Sequence, residues 1–133
     1  MATTQEAVQI STIVPTLTVD DLQKSITFYE ALGFTVDERW EDKGTLLGVM
    51  MRSGTSQLGL NQDDWKKGRD RKKGMGVRIS LSTTRNVDEI AKRAKSAGIT
   101  LASEPHDTEW ESRAFEVVDP TGFLLTVFSE TAA

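Results

Sequence analysis

The sequence predicts an α+β domain in which two βαβββ modules in one chain form a concave groove. Three observations lead there. The order strand, helix, strands occurs twice, from Ile13 to Asn61 and again from Val77 to Phe128. Each helical stretch is closed by a glycine, Gly33 and then Gly98. The strands alternate between an apolar face and a smaller, more polar one. A repeat of this kind constrains architecture more than any single residue does.

In the first module Ile13, Pro15, Leu17 and Val19 alternate with Thr12, Val14, Thr16 and Thr18. Pro15 has no N–H to give a ladder, which predicts a strand with one free side. Asp20 or Asp21 is placed to accept from the first amides of a helix. Its stripe is Leu22, Ile26, Tyr29 and Leu32, and Gly33 ends it. Phe34–Trp40 reads as a strand, Glu41–Gly44 as a turn, Thr45–Arg52 as a strand, Ser53–Ser56 as a turn and Gln57–Asn61 as the closing strand. In the second module Val77, Ile79 and Leu81 alternate with Gly76, Arg78, Ser80 and Ser82. Thr84 or Asn86 caps a helix with the stripe Val87, Ile90, Ala91, Ala94 and Ala97. Ile99–Ala102 reads as a short strand, Ser103–Glu111 as a polar loop and Arg113–Val118 as a strand. Asp119-Pro120-Thr121-Gly122 is a turn before the last strand, Phe123–Phe128. Each helix needs the greasier face of its sheet, so the other faces are left to border a groove.

The chain has 133 residues, enough to bury a stable core. It reads as one domain over 10–129, made of modules 12–61 and 76–129 joined by a linker, 62–75. The chain has no cysteine, hence neither disulfides nor thiolate metal sites, which fits a cytoplasmic location. Met1–Ala7 is polar and lacks the apolar stretch of a signal peptide. No apolar run reaches the length of a membrane span. The net charge of −4 argues against nucleic-acid binding. A local exception is the basic run Lys66, Lys67, Arg69, Arg71, Lys72 and Lys73. A solvated linker is the favoured reading of this run; a basic flap over an anionic ligand is the sharper one. There is no Gly-rich phosphate loop before a helix and no nucleophile elbow, so phosphate-loop and serine-triad templates fail.

A set of residues carries a family resemblance: Leu17-Thr18-Val19-Asp20-Asp21-Leu22, Ser25, Phe28-Tyr29, Leu32-Gly33-Phe34, then Ala97-Gly98-Ile99, Glu104-Pro105, Trp110, Arg113, Phe115 and Asp119-Pro120-Thr121-Gly122. In order and spacing the chain resembles the vicinal oxygen chelate superfamily of glyoxalases, bleomycin-resistance proteins and extradiol dioxygenases, closest in style to the bleomycin-resistance type. The resemblance covers Ile13 to Phe128. It implies paired βαβββ modules, a dimer, and a ligand in the concave groove. It also implies a divalent metal held by histidines and glutamates from the first, fourth, fifth and eighth strands. At those positions stand Val14, Gly59, Gly76 and Thr126. Only the threonine hydroxyl is even a weak ligand. The single histidine, His106, falls in the loop before the seventh strand. An improvised site from His106, Asp107, Glu109 and Glu111 is the remaining option. The expectation is therefore no metal and no cofactor.

The groove faces then include Asn61, Arg78, Glu116, Thr126 and Phe128. Arg78 and Glu116 are in phase with the vacated metal positions. An arginine there can fork onto a carboxylate or phosphate, and a glutamate can act as a general base. The plainer reading, and the favoured one, pairs the two with each other or with polar groups across the sheet interface. Trp40, Trp65 and Trp110 are flat rings for stacking a planar ligand, or else edge packing or dimer contacts. The leading functional expectation is a homodimeric small-molecule binding protein that sequesters an antibiotic or other planar ligand. Its ligand-binding residues would be Trp40, Asn61, Trp65, Arg78, Trp110, Glu116, Thr126 and Phe128. The alternative is a lyase, isomerase or dioxygenase-like enzyme with an atypical or absent metal site and Glu116 as its base. A third reading is an interaction module whose groove serves dimerisation.

Overall fold

The computed structural model describes residues 9–130, so the polar segment Met1–Ala7 lies outside the described residues. The first module runs β1 (Thr16–Val19), α1 (Leu22–Ala31), β2 (Thr35–Asp42), β3 (Thr45–Ser53) and β4 (Ser56–Gln62). The second runs β5 (Arg78–Ser82), α2 (Val87–Ser96), β6 (Ser103–Asp107), β7 (Arg113–Val118) and β8 (Leu124–Ser129). The sheets have strand orders β1-β4-β3-β2 and β5-β8-β7-β6. The repeat in the sequence is thus a repeat of topology. In each sheet the strand before the helix pairs in parallel with the last strand of the module.

Local chemistry sets these elements. Asp21 Oδ1 accepts the amide of Lys24 at 3.1 Å, and Asn86 Oδ1 accepts that of Glu89 at 3.2 Å. Leu22, Ile26, Tyr29 and Leu32 of the first stripe are all buried. In α2, Val87, Ala91 and Ala94 are buried, whereas Ala97 is exposed because it caps the helix. Acidic Asp88 and Glu89 in its first turn and basic Arg93 and Lys95 in its last complement the helix dipole. Lys43 and Gly44, both at positive φ, form the two-residue turn between β2 and β3.

The core forms where the helices meet the apolar sheet faces. Leu17, Val19, Val49, Met51, Leu58 and Leu60 pack on one side, and Phe115, Val117, Leu125 and Val127 on the other. These side chains join one continuous core. The modules are also tied by polar contacts. The Tyr29 hydroxyl of α1 donates to Asp119 Oδ2 at 2.8 Å, deep in the structure. Asp119 Oδ1 accepts the amides of Thr121, Gly122 and Phe123, which shapes the turn before β8. Arg93 of α2 donates to the Glu30 carbonyl near the end of α1 at 3.0 Å.

Three features depart from the sequence reading. The first strand begins at Thr16 rather than residue 12, and Arg78 rather than Gly76 opens β5. Val14 and Gly76 therefore lie outside the strands. β1 is an edge strand, as Pro15 predicts, and the Pro15 carbonyl still accepts the Gly59 amide. Next, Ile99–Ala102 is not a strand; β6 is Ser103–Asp107, which reads as polar loop. As an edge strand it needs no apolar alternation, and it carries Pro105 and a register shift between Ser103 and His106. His106 accordingly sits on a strand, paired with Ala114.

Finally, the basic linker is not simply solvated. Asp63 is buried and takes both Arg71 (2.9 Å) and Lys73 (2.8 Å), and Lys73 also reaches Asp20. Arg69 and Lys73 lie over the Trp65 ring, at 4.7 and 4.8 Å from its centre. Gly74 lets the linker touch the Asp119–Gly122 turn: a Cβ there would stand 2.3 Å from the Gly122 carbonyl. Acids at the end of β4 and the start of α1 capture cations that charge alone would have left in water.

Candidate functional site

Burial on one sheet face fixes the other. In the second sheet Ile79, Leu81, Phe115, Val117, Leu125 and Val127 point toward α2, so Arg78, Glu116, Thr126 and Phe128 share the open face. Register brings them together: Glu116 pairs with Thr126, Ala114 with Phe128, and Arg78 with Leu124. Arg78 stands 3.6 Å from Glu116, and the Thr126 hydroxyl donates to the same Glu116 oxygen at 3.4 Å. These contacts are long. Arg78 remains 61% exposed and Glu116 29% exposed, so both retain bonding capacity toward the open side.

In the first sheet the corresponding face carries two rows. Trp40, Gly48, Asn61 and Thr18 form one; Glu38, Met50, Gly59 and Thr16 form the next. Glycines occupy central positions in both rows, and neighbouring side chains fold over them. A Cβ on Gly48 would come 2.5 Å from Asn61 Oδ1 and 3.0 Å from Trp40 Cε3. A Cβ on Gly59 would come 2.7 Å from Thr16 Oγ1. Trp40 and Asn61 are therefore brought together.

The other two tryptophans lie elsewhere. Trp65, at φ 64°, is in the linker clasp with its amide donating to Asp63 Oδ1. Trp110 is 77% exposed in the turn between β6 and β7. Glu38 and Gly48 carry no signal of a site in the sequence. A bulge between Val36 and Glu38 shifts the phase of β2, which hides Glu38 from a simple period of two.

The donor set does not fit the divalent ion the fold family implies. The position facing Gly59 across the ladder is Thr16, and the one facing Thr126 is Ser80. Among the described residues no three His, Cys, Asp or Glu side chains gather around a common point. His106 Nδ1 is bonded to the Glu104 carbonyl at 2.8 Å, and Asp107 to Arg113 at 3.0 Å, so the improvised site is not assembled. A cleft of about 830 Å³ runs beside β5 and α2, lined by Leu32, Phe34, Ser80, Arg85, Ile90 and Arg93 among others. None of the ligand-binding residues expected from sequence lines it. Six of them, Trp40, Asn61, Arg78, Glu116, Thr126 and Phe128, lie instead on the open sheet faces.

Comparison with known proteins agrees with this geometry. Solved structures with the same architecture include a superfamily member from Sphaerobacter thermophilus DSM 20745, 28% identical, TM-score 0.70, covering 91% of this chain and 98% of that one. TioX from Micromonospora sp. ML1 is 19% identical, TM-score 0.73, with 90% and 98% covered. A bleomycin-binding protein complexed with bleomycin is 22% identical, TM-score 0.64, with 90% and 98% covered. No curated protein matches the chain. The family profile matches residues 9–127, nearly the whole of both modules. With paired βαβββ modules, helices on one face and open sheets on the other, the chain belongs to the Glyoxalase/Bleomycin resistance protein/Dioxygenase superfamily.

Proposed function

We propose that this protein is a metal-free small-molecule binding protein that acts as a cytoplasmic homodimer and sequesters a planar ligand, such as an antibiotic. The observation that carries the reading is the composition of the two open sheet faces. They offer an aromatic ring, an amide, a guanidinium and a carboxylate, and no cluster of metal-ligating side chains among the described residues. The similarity to a protein complexed with bleomycin supports the ligand class. The dimer reading rests on exposure: Thr16, Ser80 and Ser82 are uncovered in the single chain, and Val118 on the same face as Glu116 is 49% exposed. A ligand panel followed by tryptophan fluorescence and calorimetry tests the proposal. Saturable binding without turnover, weakened by Arg78→Ala, is expected. Full affinity in that variant would remove Arg78 from the site.

One observation favours a second reading. Glu116 is half-buried on an open face, and its nearest partners are 3.4 and 3.6 Å away, which leaves its oxygens able to take a proton from a substrate. In that case the protein is a lyase or isomerase with Glu116 as base. Turnover that disappears in Glu116→Gln would establish it.

A further inference from the structure

The ligand class can be narrowed from the open face of the first sheet; this step rests on the reading that the groove holds a small molecule. Three groups face the same way there. The ring of Trp40 lies against the backbone of Gly48, since a Cβ would fall 3.0 Å from its Cε3. Asn61 approaches the same point from β4, with its oxygen 2.5 Å from that Cβ position. Glu38 occupies the next row on β2, the same edge strand as Trp40, opposite Met50. The edge strand is acidic throughout: Asp37, Glu38, Glu41 and Asp42 surround one basic residue, Arg39. The neighbouring cation on β3, Arg52, is already committed to Asp37 at 2.8 Å and feels Glu38 only at longer range. No cation among the described residues is paired with Glu38 in an ion pair.

We infer that this face is a shelf for a planar aromatic ring bearing a positive charge. Trp40 stacks on the ring, Asn61 orients it through its amide, Glu38 opposes the charge, and Gly48 is the positioning residue that leaves room for the indole. An aromatic cation gains twice on such a surface. Its π face meets the indole, and its charge meets both the indole quadrupole and a carboxylate. A planar anion of equal area gains only the stacking and is repelled by Glu38.

The test uses the full chain and calorimetric titration with proflavine, a planar cation at pH 7, against 9-anthracenecarboxylate, a planar anion. Proflavine is expected to bind at least tenfold more tightly than the anion. Glu38→Gln should weaken proflavine about tenfold and leave the anion unchanged or slightly improved. Trp40→Ala should weaken both. Gly48→Ala should change the near-ultraviolet dichroism of Trp40 and weaken proflavine. Because its methyl also approaches the Leu60 carbonyl at 2.8 Å, its folding is checked alongside, and Trp40→Ala keeps the test decisive. Equal affinity for cation and anion, or full proflavine affinity in Glu38→Gln, overturns the inference while leaving small-molecule binding intact. Failure of every planar compound, whatever its charge, overturns both.

Discussion

Two buried acids show how single side chains hold this fold. Asp119 receives three amides on one oxygen and the Tyr29 hydroxyl on the other. Burial, and then the Asp119 charge, push the Tyr29 phenol well above its usual range. A raised folded value means that its stabilising contribution is complete below about pH 10, the unfolded value, and is lost as pH rises beyond it. Tyr29→Phe strands one Asp119 oxygen and should cost about 1–3 kcal/mol in chemical denaturation. In the wild type, tyrosinate absorbance should appear on alkaline titration only as the protein unfolds.

Asp63 has the opposite sign. Lys73 above all, then the Trp65 amide, and Arg71 hold its carboxyl well below the carboxylate range. Its contribution is present above about pH 4 and lost as pH falls. Asp63→Asn should therefore lower the melting temperature at pH 7 and flatten its fall between about pH 4 and pH 2. An unchanged acid limb would show that the clasp contributes nothing. The Tyr29–Asp119 pair is not legible in sequence, because the two lie ninety residues apart and only packing makes them neighbours.

At the scale of elements, the most legible signals were those with local causes. Asp21 and Asn86 cap their helices through bonds spanning three residues. Gly33 ends α1 at φ 106°, a conformation that side chains resist. Gly33→Ala should cost about 1–2 kcal/mol although nothing lies within 4 Å of its Cβ position, which isolates backbone strain from packing. A loss near zero would mean that the turn relaxes. β6 was illegible for a related reason. As an edge strand, Ser103–Asp107 owes its existence to pairing with β7 rather than to any pattern of its own. Arg113 then fastens it, gripping Asp107 of β6 and both oxygens of Asp88 on α2. The basic linker belongs here too: its composition reads as a solvated segment, yet three of its cations are claimed by Asp63, Asp20 and the Trp65 ring.

For the molecule as a whole, the proposed dimer makes a direct prediction. Sedimentation velocity should give a species of twice the 14.7 kDa chain mass. Val118→Asp, which places a charge on the open face of the second sheet, should shift it toward monomer without changing the dichroism of the fold. A monomer at all concentrations would mean that the open faces are wall enough by themselves.

The sequence by itself determined the repeat, the two helices, a pair of candidate caps for each, which strand faces meet the helices, and the presence of a single histidine. All of these follow from periodicity, local hydrogen bonding or residue chemistry, which need no knowledge of distant neighbours. It also placed Arg78, Glu116 and Thr126 in one phase. Only the tertiary structure decided that Glu116 receives both of the others, that Trp40 approaches Gly48 beside Asn61, and that the Trp65 ring packs under Arg69 and Lys73. Those outcomes depend on strand register, on a bulge at Val36–Glu38 and on ion pairs across the junction. Each is settled by contacts between segments far apart in the chain, where local propensity carries no information.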